Sequence, residues 1–183
     1  YNMQPFSGPG TRGRPGPNRR SKEISMVKEN ALRPVINLDQ YPRAVVDVYI
    51  ELIETDAGSR CAGICAAAIA LADAGIDMKD LVVSVAVGHM DGDIVVDLDG
   101  EEEHYDGEVA DIATAMIPST KEFTLLQMDG ITDAKIVVKA LTKGAEVIAS
   151  ISEAQRKAII EQYPTELTGF KEAKKMLKKV LKE

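Results

Sequence analysis

The chain has 183 residues, of which 45% are hydrophobic and 4% aromatic, and it contains no tryptophan. This length suits one domain with a short appendage, and the apolar content excludes a chain that is disordered throughout. No apolar stretch approaches the ~18 uninterrupted residues of a membrane span, and the first residues lack the pattern of a signal peptide. We therefore expect one folded domain and no membrane segment.

Charge is distributed unevenly along the chain. The formal net charge is −7, yet residues 1–22 contain no acidic residue and five basic ones, Arg12, Arg14, Arg19, Arg20 and Lys22. The other 161 residues therefore carry −12. Such asymmetry predicts a local anion-binding segment on an acidic body.

The first predicted elements are a loop, a helix and a strand. Residues 8–17 hold four glycines and three prolines, which indicates a basic loop. Ser21 is predicted to cap a helix that ends before Pro34. Alternation of apolar and polar side chains predicts a strand over 45–54. Because the chain opens at Tyr1 on residues typical of a strand interior, we expect the first strands of the domain to be missing.

An alanine-rich helix over 59–74, ended by Gly75, is predicted to follow. The next predicted elements are antiparallel strands and their connections: strand 81–90, the turn Asp91-Gly92, strand 93–98, an acidic loop 99–108, and strands 110–117 and 123–128. Thr132 is predicted to cap a long helix running toward Tyr163.

The order strand, helix, antiparallel strands, helix predicts an α+β fold with a mixed, mostly antiparallel sheet and helices packed on one face. Residues 1–164 are expected to form this domain. Residues 165–183, with six lysines among apolar residues, are expected to form a separate amphipathic helix.

Cys61 and Cys65 are predicted to be reduced, buried thiols of a cytoplasmic protein, with too few neighbouring ligands for zinc.

The segment Asp56-Ala57-Gly58-Ser59-Arg60 is the strongest candidate for binding an anion. Gly58 allows close approach of the backbone, and the amides of Ser59 and Arg60 fall in the first turn of a helix, where unpaired N–H groups favour negative charge. The Arg60 guanidinium adds a fork that suits phosphate oxygens. An ordinary helix start with a solvent-facing arginine is the alternative. The longer phosphate loop of P-loop kinases is absent.

Arg19 and Arg20 are the second candidates, because two adjacent arginines before a helix suit a phosphate or an RNA backbone. A solvated basic loop is the alternative.

Asp111 is the third candidate: it lies where the acidic loop becomes an apolar strand and could bind Mg²⁺ or act as a general acid. A plain edge-strand aspartate is the alternative, and most other acids of 91–108 are expected to be solvated.

Several stretches together resemble the RNase PH family of phosphorolytic 3′–5′ exoribonucleases, and within it the catalytic subunits of archaeal exosomes. The resemblance covers nearly the whole chain, in order. It rests on Tyr1-Asn2-Met3, Pro5-Phe6-Ser7, Arg14 to Ser21, Asp56 to Arg60, Ser84 to Gly88, Gly107-Glu108 through Asp111, and Leu125-Leu126-Gln127-Met128-Asp129-Gly130.

This resemblance implies an RNase PH-like fold (ribosomal protein S5 domain 2-like), incomplete at its N-terminus. It also implies attack of inorganic phosphate on the 3′ end of single-stranded RNA, releasing nucleoside diphosphates, with RNA tailing as the reverse reaction. By motif, Gly58, Ser59, Arg60 and Arg20 would hold phosphate, and Arg19 would bind the RNA backbone with Arg20. Asp111 would protonate the leaving oxygen or carry Mg²⁺.

Two further implications concern the second carboxylate and the partners. The family has two aspartates six residues apart, whereas Tyr105 stands six positions before Asp111, so Asp106 would have to replace the first aspartate. The expected partners are a related non-catalytic subunit in a hexameric ring and RNA-binding cap subunits.

Two other functions remain as alternatives to this one. A non-catalytic, RNA-binding or structural ring subunit is the first, although such a subunit should lack Arg60 or Asp111. A small-molecule kinase on a related fold is the second, and it would need a phosphate loop that the sequence lacks.

Overall fold

The fold is taken from a computed structural model, which describes residues 1–8 and 18–163. A compact unit comprises Tyr1–Ser152, and a second unit begins at Glu153. The predicted loop 8–17 falls almost wholly outside the described residues. The predicted division at 164–165 and the predicted lysine-rich helix also fall outside them.

Helix α1 spans Arg19–Leu32 and begins earlier than the sequence indicated. Asn18 is its N-cap and accepts a hydrogen bond from the Ser21 amide at 2.8 Å, while the Ser21 hydroxyl accepts one from the Asn18 amide at 2.8 Å. This reciprocal pair is a capping box. The prediction of Ser21 as the cap was therefore wrong, and Arg19 and Arg20 lie in the first helical turn.

The predicted strand over 45–54 is regular only over two residues. Strand β1 (Asn2–Met3) pairs in parallel with β2 (Glu51–Leu52), and the preceding residues have no strand partner among the described residues. Alternation is still present, because Val45 and Tyr49 are far more exposed than Val46 and Val48. The strand prediction was thus too long, since hydrogen bonding to a neighbouring strand is what defines a ladder.

Helix α2 spans Ser59–Asp73, close to its predicted bounds. One face, which includes Ile64, Ala68 and Leu71, is buried. Alanines at four-residue intervals form the exposed stripe Ala62, Ala66 and Ala70. Cys61 and Cys65 are free thiols, as predicted, although Cys65 is only half-buried.

A four-stranded antiparallel sheet forms the centre of the unit, in the order β4-β3-β5-β6. Its strands are β3 (Val83–Met90), β4 (Asp93–Val96), β5 (Val109–Ile117) and β6 (Glu122–Gly130). Asp91 and Gly92 both have positive φ, which confirms the tight turn between β3 and β4. The short helix α3 (Gly100–Glu103), capped by Asp99, lies inside the predicted acidic loop. The α+β class is confirmed.

Helix α4 spans Ala134–Gln162 and packs on one face of this sheet through Ala140 and Ile148. Facing it are Ile112 and Met116 on β5 with three valines of β3, Val83, Val85 and Val87. The Asp133 carboxylate accepts from the Lys135 amide at 2.7 Å, so Asp133 and not Thr132 caps the helix. Within the described residues, no helix is long and apolar enough to cross a membrane.

Candidate phosphate and RNA-binding site

A cleft of about 530 Å³ brings together side chains from α1, α2, α3 and the edge of the sheet. Its polar lining consists of Arg20, Arg60, Glu103, His104, Asp111, Gln127 and Asp129. Three of the residues singled out in the sequence, Arg20, Arg60 and Asp111, therefore share one cavity. They are separated along the chain by 40 and 51 positions, so only the fold brings them together.

Strands β5 and β6 form one wall of the cleft. Their antiparallel register places Asp111 directly opposite Asp129 and Ala113 directly opposite Gln127. Because side chains alternate along a strand, Asp111 and Ala113 lie on the face opposite to Ile112, which packs toward α4. The small Ala113 side chain leaves space between the acidic pair and Gln127.

The two arginines enter the cleft from the first turns of α1 and α2. Arg60 Nη2 lies 3.6 Å from Glu23 Oε2, and Glu23 Oε1 accepts from Gln127 Nε2 at 3.3 Å. Glu23 on α1 thus connects α2 to β6. Arg60 Nε and Gln127 Oε1 are buried and have no hydrogen-bond partner in the part of the chain that the structure describes. Buried polar atoms without partners are costly, so both are available to a bound ligand.

The residues before α2 leave the first-turn N–H groups of the helix available to an anion. Ala57 and Gly58 both have positive φ, 58° and 54°, and no side chain of residues 1–8 or 18–163 caps the first turn. The Asp56 carboxylate accepts from the Gly100 amide at 3.0 Å, which ties this segment to α3. A Cβ at Gly58 would lie 3.2 Å from Asp97 Oδ1, so glycine serves both the backbone conformation and the close approach.

Asp111 has the acid–base behaviour that proton donation requires. Burial raises the pKa of this carboxyl to about 6, and the charges of Glu103 and Asp129 add to the rise. The Arg60 guanidinium and the Ile112 amide oppose it without cancelling it. Asp111 Oδ1 is buried and has no hydrogen-bond partner among residues 1–8 and 18–163. A carboxyl that titrates near neutral pH and faces a cleft suits general acid catalysis.

Other predicted site residues lie outside the set that lines this cleft. Arg19 is exposed beside Arg20, and Asp106 is exposed in the loop before β5. The Ser59 hydroxyl forms a 2.9 Å hydrogen bond with the Tyr1 hydroxyl, and Ser59 is only 8% exposed. The predicted phosphate contact of Ser59 therefore depends on its backbone amide, and those of Gly58 and Arg19 stay predictions.

Five cleft or cleft-supporting residues were not singled out from the sequence as site residues: Glu23, Glu103, His104, Gln127 and Asp129. Three of them had a usable signal. In 125–130, alternation along a strand puts Gln127 and Asp129 on one face, as in any strand of period two. Glu23 follows Arg20 by three positions and so shares its helix face. Glu103 and His104 had no such signal, because residues 99–108 were predicted to form a loop.

Comparison with known proteins shows the family to which the chain belongs. Residues 1–77 match domain 1 of the 3′ exoribonuclease family, and residues 80–147 match domain 2. An exosome complex component Rrp41 from Thermoplasma acidophilum is 46% identical over 169 residues, which are 92% of this chain and 67% of that protein. The chain belongs to the RNase PH family of 3′ exoribonucleases.

Other members of the family show how much of a subunit is present. Rrp41 of Thermococcus gammatolerans is 47% identical over 163 residues, covering 89% of this chain and 64% of that protein. The chain therefore spans about two thirds of the length of the curated relatives that it matches. The crystal structure of rice Rrp46 superimposes with a TM-score of 0.72 at 21% identity, covering 85% of this chain and 70% of that one. The RNase PH-like fold is thus confirmed.

Proposed function

We propose that this chain is a catalytic exosome subunit that shortens RNA from its 3′ end with inorganic phosphate and releases nucleoside diphosphates. The observation that carries the proposal is the single cleft in which Arg20 and Arg60 meet Asp111, a carboxyl with raised pKa. Similarity to proteins named exosome complex component Rrp41 supports it. With diphosphates in excess, the same site would extend RNA.

Phosphate binding is assigned to the arginine end of the cleft. Arg60 and Arg20 supply positive charge, and the uncapped first turn of α2 at Gly58, Ser59 and Arg60 supplies N–H donors. Arg19, exposed beside Arg20, would bind an RNA phosphate without reading sequence. Holding both reactants in one cavity converts a bimolecular attack into a positioned one.

Asp111 is assigned the role of general acid. An oxygen of the bound phosphate attacks the phosphorus of the last phosphodiester, and the bond from that phosphorus to the 3′ oxygen of the preceding nucleotide breaks. Asp111 gives its proton to that oxygen, so the shortened RNA leaves with a 3′ hydroxyl. Arg60 and Arg20 offset the negative charge that gathers around phosphorus.

The cleft supplies some of the ligands that a magnesium ion would need. No cluster of three His, Cys, Asp or Glu side chains that could hold a metal occurs among residues 1–8 and 18–163. Mg²⁺, however, keeps several waters and is commonly held by one or two carboxylates together with substrate phosphates. Asp111 Oδ1, which has no partner among the described side chains, would contribute to such a site. When bound, the ion would neutralise charge on the phosphate oxygens.

The second carboxylate of the site is assigned to Glu103 or Asp129. Both line the cleft and both raise the pKa of Asp111, whereas Asp106 is exposed and does neither. Replacement of the family's first aspartate by Asp106 stays a prediction from the sequence.

Assembly with related subunits is also part of the proposal. Relatives carry the name of an exosome complex component, and the rice neighbour has the same fold. We infer RNase PH-type partner subunits, arranged as a hexameric ring with RNA-binding cap subunits, and a cytoplasmic location. A non-catalytic ring subunit is the less favoured alternative, because Arg60 and Asp111 are both present in the cleft.

The deciding experiment incubates the chain, alone and co-expressed with an RNase PH-type partner subunit, with uniformly labelled RNA with and without phosphate. We expect shortening that depends on phosphate and nucleoside diphosphates as the product. Equal shortening without phosphate, or release of monophosphates, would indicate hydrolysis and contradict the proposal. An inactive complex that still binds RNA would favour the non-catalytic alternative.

A further inference from the structure

Lys28 is a buried cation with no place in the assignments above. It lies on α1 in line with Ile24 and Ala31, on the face that packs into the core, and is only 2% exposed. Lysine is almost never buried to this extent unless its ammonium group is engaged. Its position therefore calls for a specific role.

The ammonium group of Lys28 is directed at the start of α2. Nζ donates a hydrogen bond to the Ser59 carbonyl oxygen at 3.2 Å and lies 4.2 Å from the centre of the Tyr1 ring. The Tyr1 hydroxyl in turn lies 2.9 Å from the Ser59 hydroxyl. Both contacts therefore converge on Ser59, immediately behind the proposed phosphate site.

The Ser59 carbonyl and the Arg60 N–H belong to the same peptide group. A cation on the carbonyl oxygen fixes the plane of that group and polarises it, so the N–H on its other side becomes a stronger donor. That N–H lies in the uncapped first turn of α2, where an anion is expected.

Gly63 provides the space for this contact. A Cβ at Gly63 would lie 1.9 Å from Lys28 Nζ and 3.0 Å from Lys28 Cε. Glycine inside a helix is less favourable than alanine. Its presence one turn after Ser59 is explained by the ammonium group that occupies the vacant volume.

We propose that Lys28 is a positioning residue for inorganic phosphate, acting through the peptide group between Ser59 and Arg60. The inference deepens the proposed function and rests on it for the identity of the anion. Lys28 itself does not touch phosphate. It orients a donor that does.

The charge of Lys28 is set by its surroundings. Burial lowers its pKa to about 8, the Cys61 thiol opposes that change and the Arg60 guanidinium adds to it. The other charged or titratable groups nearby are the Tyr1 phenol above and Glu29, Arg33 and Asp47, which line the adjoining groove. Lys28 is therefore charged below about pH 8 and loses its charge as pH rises further.

The test measures phosphate affinity and the KM for phosphate in the assembled complex, with Lys28→Met, Lys28→Arg and Gly63→Ala variants. Lys22→Met is the matched control, because Lys22 lies on the same helix and is exposed. Affinity is measured by equilibrium dialysis of radiolabelled inorganic phosphate. We expect Lys28→Met to weaken phosphate binding and raise its KM by about tenfold, with the KM for RNA unchanged.

The companion variants separate positioning from stability. Lys28→Arg keeps a charge that does not titrate, so its KM for phosphate should stay flat above pH 8 where that of the wild type rises. Gly63→Ala, which must displace the ammonium group, should raise the phosphate KM without removing any charge.

Unchanged phosphate affinity in a folded Lys28→Met complex would overturn the proposal, and so would an equal loss in Lys22→Met. Identical pH profiles for wild type and Lys28→Arg would also overturn it. If the wild type binds phosphate but releases no diphosphate, the proposed function fails. The dialysis comparison then still decides the role of Lys28.

Discussion

At the scale of single residues, the chemistry of the cleft depends on three buried polar atoms, Asp111 Oδ1, Arg60 Nε and Gln127 Oε1. None of them has a hydrogen-bond partner among the described residues. Each such atom costs free energy in the folded state and recovers it when a ligand binds. Asp111 and Arg60 are thus available to form hydrogen bonds with a substrate.

Asp111→Asn is expected to reduce kcat by about 10²- to 10⁴-fold, because the amide cannot donate the proton that a general acid supplies. RNA binding, measured by fluorescence anisotropy, should remain. Asp106→Asn is the control, since Asp106 is exposed and outside the cleft lining. A drop in Asp106→Asn as large as that in Asp111→Asn would instead assign Asp106 to the chemistry.

The pH dependence of kcat follows from the same carboxyl. The pKa of Asp111 is raised to about 6, so the proton-donating form is present below that pH and is lost as pH rises through it. We expect kcat in the wild type to decline on the alkaline side of about pH 6, measured under saturating phosphate and RNA. A decline of the same shape in Asp111→Asn would mean that another group is responsible.

The sequence predicted Asp111, Arg20 and Arg60 because each lies at the end of an element, where local pattern is informative. It did not predict the burial of Lys28, since a lysine followed by Glu29 and Asn30 is ordinarily solvent-facing. Lys28 follows Ile24 by four positions and precedes Ala31 by three, so helical spacing did place it on the core face. What the sequence could not show is that Gly63, on helix α2, lacks a side chain at the point where the Lys28 ammonium group lies.

At the scale of elements, the two arginines depend on how two helices begin. Helix α1 begins with a capping box, and α2 begins after two left-handed residues with no side-chain cap. The first arrangement fixes the turn that carries Arg20. The second leaves backbone donors for a ligand. Sequence reasoning identified the second start correctly and misplaced the first, because Asn18 and Ser21 are both good caps and only the loop geometry decides between them.

Asn18→Ala is expected to lower the free energy of unfolding by about 1 kcal/mol, because it removes the acceptor for the Ser21 amide. For a chain of this size the melting temperature should fall by about 2–4 °C. Asn18→Asp retains an acceptor oxygen and is the matched control. The turn carrying Arg20 should also fray, so the KM for phosphate should rise in Asn18→Ala and not in Asn18→Asp. An unchanged melting temperature in Asn18→Ala would show that the cap contributes nothing.

The strands were predicted well where turn residues and side-chain alternation define them. They were predicted poorly where pairing with a distant strand sets their length. The Asp91-Gly92 turn and the alternation along β5 and β6 gave strand bounds within a few residues. The segment 45–54 has the same alternation, yet within the described parts of the chain only Glu51–Leu52 forms a ladder. Alternation reports which face is exposed, whereas a ladder needs a neighbouring strand, and that information lies elsewhere in the chain.

At the scale of the whole molecule, an acidic chain is proposed to bind a polyanion. The net charge is −7, with +5 on residues 1–22 and −12 on the other 161. Binding must therefore be local and sensitive to salt, because the rest of the molecule repels RNA.

Arg19→Ala is expected to reduce the steepness of log K for RNA against log salt concentration by about 0.7, the value for one phosphate contact to single-stranded nucleic acid. Arg33→Ala is the control at the far end of α1, where Arg33 pairs with Glu29 at the surface. Both variants lose one positive charge, so a difference between their slopes reports a contact of Arg19 with RNA and not the change in net charge. Equal slopes for the two would remove Arg19 from the RNA path.

The hairpin joining β5 and β6 carries a consequence for how this chain tolerates changes in length. Residues 118–121 form the turn, roughly 20 Å of strand from Asp111. One residue inserted there would shift the register, and Gln127 and Asp129 would turn toward the hydrophobic side that α4 covers. Surface turns are ordinarily permissive to insertions, so they are common places to attach tags or vary libraries. In this protein that turn should accept substitutions freely and reject insertions or deletions of a single residue.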